Sequence, residues 1–159
     1  MSNKELLIIL KPNMDTTIRA LRCGNGENFR NLKHAMWGFK KTSEGDVVKF
    51  RSGDILIFCT NKSAGLKVIG LATVPGKCYD RRDEPFISFN TYSNEEMGWE
   101  GEDDWCIQTR LENVINIEHL NYTHSLNGAR PIRYYKEEDF EQDIEGDLEN
   151  LFKFLPRVF

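Results

Sequence analysis

The sequence predicts an α/β chain of the α+β kind: a small mixed β-barrel flanked by short helices, with a C-terminal helix. Three observations predict it. Apolar runs of strand length stand at Leu6–Leu10, Ile55–Cys59 and Lys67–Val74. Clusters of Gly, Pro, Asn and Asp separate these runs. From Lys136 the period changes, and Phe140, Ile144, Leu148, Leu151, Phe152 and Leu155 recur at helical spacing.

Taken in order, Leu6–Leu10 is a continuous apolar run suited to a strand buried on both faces, and Pro12-Asn13 ends it. Asp15-Thr16-Thr17 offers N-cap chemistry to a short helix over Ile18 and Leu21, which Gly24-Asn25-Gly26 breaks. Phe29, Leu32 and His34–Trp37 predict a second short element leading into a brief strand at Met36–Gly38. Gly45 to Phe50 reads as a polar turn anchored by Val47, Val48 and Phe50. Ser52-Gly53-Asp54 is a tight turn opening the strand Ile55–Cys59, and Asn61 to Gly65 is a hairpin loop. The partner strand Lys67–Val74 carries Gly70, which marks a bulge or the close approach of another group. Pro75 to Glu84 reads as a charged loop, and Phe86–Phe89 as a short strand.

Asn90 to Asp104 is a long polar segment around Trp99 without helix or strand period, a kind of loop that is functional or mobile in compact domains. Trp105–Arg110 alternates apolar and polar residues, and Val114–Leu120 repeats the habit. A polar loop follows from Tyr122 to Gly128, and Arg130-Pro131-Ile132-Arg133 leads to Tyr134-Tyr135. The terminal helix is expected over 136–156, weakened by Gly146 and ended by Pro156. There are no internal repeats, so a single domain is expected over 1–159. The close at L-P-R-V-F also fits a domain cut from a larger protein.

Lys and Arg number 21 against 25 Asp and Glu, a net charge of −4. That balance argues against a general nucleic-acid binder, whose affinity comes mostly from neutralised phosphates. A nucleic-acid partner would need a local basic patch and a specific pocket. Cys23, Cys59, Cys78 and Cys106 are widely spaced, with no C-x-x-C and no His at zinc-ligand spacing, so neither metal nor cofactor is expected. Catalytic residues are not nominated either. His34, His119 and His124 lie far apart, and no G-x-S-x-G, H-E-x-x-H or P-loop occurs. The N-terminal apolar run is too short for a signal peptide or a membrane span, which predicts an intracellular protein with no membrane partner.

One stretch carries more. K-H-A-M-W-G-F at Lys33–Phe39 is followed by F-R-S-G-D-I-L-I-F-C-T and then by K-V-I-G-L-A-T-V. This order resembles the core of the EVE and YTH domains, two branches of the PUA-like family of small barrels. Their order is a first strand, a short helix, a strand with the first cage Trp, then two paired strands. The matching pieces here are Leu6–Leu10, Thr16–Cys23, Met36–Gly38, Gly53–Cys59 and Lys67–Val74. D-W-C-I-Q resembles the strand after the second cage loop, and N-G-A-R-P-I-R-Y-Y-K-E-E-D-F the family's Gly- and Arg-containing loop before a terminal helix. The long acidic loop at Asn90–Gly101 and the overall acidity depart from the pattern.

The resemblance implies a binding module that holds a flipped, modified (methylated) base between aromatic walls. Trp37 would be the first wall and Trp99, between glycines in M-G-W-E-G, the second. By burial habit alone Trp37 and Trp105 read as core residues. Asn13 and Asp15 would read the base edge, although Asp15 equally suits a helix cap. Thr60 and Asn61 would stand at the pocket mouth, where a hairpin turn explains Asn61 as well. Lys40, Lys41, Arg130 and Arg133 would meet phosphates. The implied partner is RNA or DNA carrying a modified base. Such a module stands alone, is fused to or associated with a larger effector, or targets a modification-dependent restriction system. Two other readings stay open: a protein-interaction module with a vestigial pocket, and a ribonuclease of the ASCH type.

Overall fold

The computed structural model describes residues 17–40, 44–47, 49–76, 78–80, 107–123 and 132–135. The expected strand Leu6–Leu10, the strand Phe86–Phe89, Trp105 and the C-terminal helix 136–156 lie outside them. The described elements are β1 (Ile18–Arg22), α1 (Glu27–Arg30), β2 (Met36–Phe39), α2 (Glu44–Val47), β3 (Ile55–Cys59), β4 (Val68–Thr73), β5 (Cys78–Asp80), β6 (Ile107–Arg110), β7 (Glu112–Asn116) and β8 (Ile132–Tyr135). Single 3-10 turns cover Lys62–Ala64 and Glu118–Leu120.

Among the described residues these strands form two sheets, β7-β4-β3-β1-β8 and β2-β6-β5, and not a closed barrel. The sheets are joined by side chains. From one come Leu21, Leu56, Phe58 and Ala72, and from the other Trp37, Phe39 and Ile107, all in one apolar cluster with Phe29 and Phe50. The mixed α+β character is as expected, with short helices that serve as connections.

β1 corrects the expected helix over Ile18 and Leu21. It runs parallel to β3, with Ile18 opposite Ile55 and Leu21 opposite Phe58, and antiparallel to β8. Ile18 and Leu21 sit three apart in sequence, which mimics a helical stripe, but they point to opposite faces of a sheet. Ile18, Ala20, Ile55 and Ile57 share one face, and Leu21, Leu56 and Phe58 the other, all 2% exposed or less. A strand buried on both faces shows no apolar–polar alternation, so period alone cannot distinguish it from a buried helix.

Two smaller corrections concern turns. Glu44–Val47 is a single helical turn where a polar turn is expected, and Cys78–Asp80 is a strand where a charged loop is expected. β5 pairs with β6 in the register Cys78–Thr109, which gives its backbone groups partners that its side chains do not announce.

Gly70 meets both parts of its expectation. Phe58 opposes Gly70 while Cys59 opposes Val68, so Ile69 is the extra residue of a bulge. A Cβ at Gly70 would fall inside the Phe29 ring. Gly26 likewise has φ 90°, and a Cβ there would stand 2.8 Å from Ile69 Cδ1. Glycine at these two positions lets α1 lie flat on β4.

Candidate functional site

Among the described residues an aromatic row is built across the two sheets. Phe29 from α1 stacks obliquely on Phe58 of β3, with centroids 4.7 Å apart. Phe58 in turn meets Trp37 of β2 edge to face at 4.8 Å. Two residues along the same face of β2, Phe39 meets Phe50 edge to face at 5.6 Å. The Arg19 guanidinium lies over the Phe50 ring, 4.5 Å from its centroid. Aromatic pairs in such geometry contribute about 0.5–1.5 kcal/mol beyond area burial.

Arg19 is held there by Asp54. Its Nη1 donates to Asp54 Oδ2 at 2.6 Å, with the two side chains 3% and 2% exposed. The same carboxylate accepts from the backbone N–H of Thr17 at 3.1 Å and of Arg51 at 2.8 Å. Arg19 Nη2 donates to the Lys49 carbonyl at 3.4 Å. A buried carboxylate with this many donors is satisfied, so the burial of its charge is compensated. The sequence signal for this arrangement is Asp after Ser-Gly ahead of an apolar strand, which folds back on the preceding turn.

The sequence-derived site residues fall in three groups. Trp37 stands in the middle of β2, 8% exposed, within the core cluster. Thr60 and Asn61 are occupied in closing the β3–β4 connection. Thr60 Oγ1 accepts from Lys67 N at 2.8 Å, and Asn61 Oδ1 accepts from Ala64 N at 3.2 Å and from Ser63 Oγ at 2.8 Å. Lys40 is exposed just beyond Phe39, and Arg133 lies in β8 opposite Ala20. Asn13, Asp15, Lys41, Trp99 and Arg130 lie outside the described residues.

Two polar features sit on the α1 side. Arg30 grips Glu118 with Nε and Nη2, at 2.9 and 2.5 Å to Oε1, and this holds the Glu118 carboxyl below its usual range. Beneath them burial pushes the Cys23 thiol up to about 12, and Cys23 Sγ donates to the Cys59 carbonyl at 3.2 Å. Burial raises the Cys59 thiol further still. Such thiols are inert, not nucleophilic. Among the described residues no group of three His, Cys, Asp or Glu converges on a point where a metal ion would sit.

No family model matches the sequence, and no curated protein matches it. The fold does have solved counterparts. The Pho92 YTH domain, solved in complex with m6A, is similar at TM-score 0.54 over 89% of this chain and 85% of that one, with 14% identity. The fold is YTH-like. A second YTH domain, from the Zygosaccharomyces rouxii MRB1 protein in complex with N6-methyladenosine RNA, has TM-score 0.49 and 11% identity, covering 88% of each chain. The YTH-like likeness agrees with the order of pieces read from Lys33 to Val74 and says nothing of the EVE branch. At this identity it is a statement about the fold alone. No helix among the described residues is long and apolar enough to cross a membrane.

Proposed function

We propose that this protein is a reader of modified RNA that takes a single methylated base, N6-methyladenine first among the candidates, into an aromatic pocket. One observation carries the reading. The fold matches, over 89% of its length, a YTH domain that was solved holding m6A. The chemistry is apt for an aromatic wall. A base offers a π-face whatever its identity, stacking contributes roughly 1–3 kcal/mol per base, and a methyl group adds an apolar edge.

In this reading Trp37 is the first wall. Its bracing by Phe58, itself braced by Phe29, holds the indole in one orientation, as a preorganised site requires. Trp99 is the proposed second wall, Asn13 and Asp15 the readers of the base edge, with Thr60 and Asn61 beside them. Lys40, Lys41, Arg130 and Arg133 are the proposed phosphate contacts. DNA as the target, a larger effector as partner, and a targeting role in a modification-dependent restriction system rest on the sequence resemblance alone.

The test is direct binding to matched single-stranded oligonucleotides, RNA and DNA, carrying adenine, N6-methyladenine, cytosine, 5-methylcytosine or 5-hydroxymethylcytosine at one position. The expected result is at least a tenfold preference for N6-methyladenine RNA over its unmodified match, about 1.4 kcal/mol. Equal affinity for every base would sink the reading. A Trp99→Ala protein that keeps the full preference would remove that residue from the pocket.

A further inference from the structure

The buried pair Arg19–Asp54 has a consequence on the surface. Its partners include two backbone groups of one short segment: the Lys49 carbonyl accepts from Arg19 Nη2, and the Arg51 N–H donates to Asp54 Oδ2. Between them Phe50 turns inward, 5% exposed, against Phe39 and under the Arg19 guanidinium. Residues 49 and 51 are therefore fixed through their main chain on either side of an inward aromatic, and both side chains are exposed. Asp54, three residues beyond Arg51, spends its charge inside on Arg19, while Asp46 stands three residues before Lys49. Among the described residues neither Lys49 nor Arg51 is held in an ion pair.

Two outward cations on a segment pinned by a buried ion pair differ from a solvated charge run, because the main chain under them is already ordered. The position also matters. Phe50 packs on Phe39, and Phe39 follows Trp37 on the same face of β2, about 6.6 Å further along the strand. The segment that carries the basic pair is thus linked to the indole through the Phe50–Phe39 contact, on a chain whose net charge is −4.

We propose that Lys49 and Arg51 form a phosphate clip that holds the RNA backbone beside the base read at Trp37. The proposal rests on the reader function above and adds two residues to it. An Arg fork and a Lys ammonium suit adjacent phosphate oxygens, the first in bidentate geometry and the second as a point charge. Such contacts position the strand and carry no sequence information.

The experiment uses the full chain and two single-stranded RNA 9-mers, one with a central N6-methyladenine and one with adenine. Binding is measured from 50 to 300 mM NaCl for the parent, Lys49→Ala/Arg51→Ala and Arg51→Lys, with thermal melts to establish that all are folded. Two phosphate contacts on a single strand contribute about 1.4 to the log–log salt slope. The double variant should lose that slope and weaken both RNAs alike, on the order of tenfold at 0.1 M salt. Arg51→Lys should keep most of the slope. A parent that prefers the methylated RNA, with a double variant of unchanged slope and affinity, overturns the clip and leaves the reader standing. A parent that binds both RNAs equally, with the slope lost in the double variant, supports the clip and overturns the reader. A parent that binds neither RNA overturns both.

Discussion

Trp37 of one sheet meets Phe58 of the other edge to face, with ring centroids 4.8 Å apart, and this contact helps join the two sheets. A residue in the core cluster and a residue in a binding wall are usually different residues. Here one side chain is asked to be both, which decides how it must be tested. Trp37→Ala should cost about 3–5 kcal/mol, as large aromatic truncations do, and the loss of fold would then mask any loss of binding. Trp37→Phe keeps an aromatic ring against Phe58 and should stay folded. Its preference for N6-methyladenine RNA should fall several-fold relative to the parent. A folded Trp37→Phe with an undiminished preference would make Trp37 a core residue and nothing more.

Gly70→Ala should be among the most damaging single-methyl additions in the chain. The new Cβ would occupy the Phe29 ring, so either α1 lifts or β4 shifts. Overpacking of this kind costs about 1–3 kcal/mol, and more where backbone has to move. Phe29→Ala in the same protein should recover part of the loss. Denaturant melts of the two single variants and the double variant give the coupling directly, and strict additivity would contradict the contact.

Asp54→Ala should destabilise by about 3–5 kcal/mol, because it leaves the Arg19 guanidinium buried without its carboxylate. Arg19→Met with Asp54→Leu should be milder than Asp54→Ala alone, since no buried charge is left over. Urea midpoints measure both. If Asp54→Ala costs less than the double replacement, the pair is not buried in solution.

The Arg30–Glu118 pair is solvent-facing, with side chains 43% and 32% exposed, so its contribution is small: Glu118→Gln should cost under about 1 kcal/mol. The folded carboxyl titrates below its unfolded range, first because Arg30 hydrogen-bonds the ionised form. The stability it adds is therefore present at pH above the unfolded carboxylate value and is lost as pH falls through the folded one. Parent and Glu118→Gln melts should converge on acidification. Parallel curves down to pH 3 would show that the pair carries no linked stability.

Cys23 should react slowly with iodoacetamide at pH 8 in the native protein and at an ordinary rate in denaturant. Burial raises its thiol from 9.0 to about 12, so the thiolate is scarce at pH 8. The sign on stability is the opposite of the Glu118 case. The contribution is complete below pH 9 and is lost as pH rises toward 12. Rapid native alkylation at Cys23, read by mass spectrometry, would contradict its burial.

The parts legible in the sequence were those whose partners lie close in the chain. Ile55–Cys59 and Lys67–Val74 pair as read, across a short turn, and Gly70 announced both the bulge and the approach of Phe29. β1 was misread because its neighbours, β3 and β8, are far away in sequence and bury both of its faces. Arg19 carried no reading in the sequence, since nothing local reveals a carboxylate thirty-five positions on. β5 was hidden for a related reason, as Cys78–Asp80 gains its strand character only from β6. For the site, the position of Trp37 on a short strand was legible, while the Lys49–Arg51 segment was not, because its order derives from that same distant pair. The proposed roles of Trp99, Asn13, Asp15, Lys41 and Arg130 fall on residues outside the described ones.

The placement of β1 between β3 and β8 also sets a schedule for synthesis. β1 and β3 can join as soon as Cys59 has left the ribosome, but the other edge of β1 has no partner until Ile132–Tyr135 emerges. At ~5–20 residues per second that interval lasts several seconds. Throughout it a nascent chain displays an open strand edge beside apolar surface, the arrangement most prone to pairing with a neighbour on the same message. Chaperone dependence and crowding on polysomes should accordingly be governed by how soon the last described strand arrives, more than by anything in the core itself.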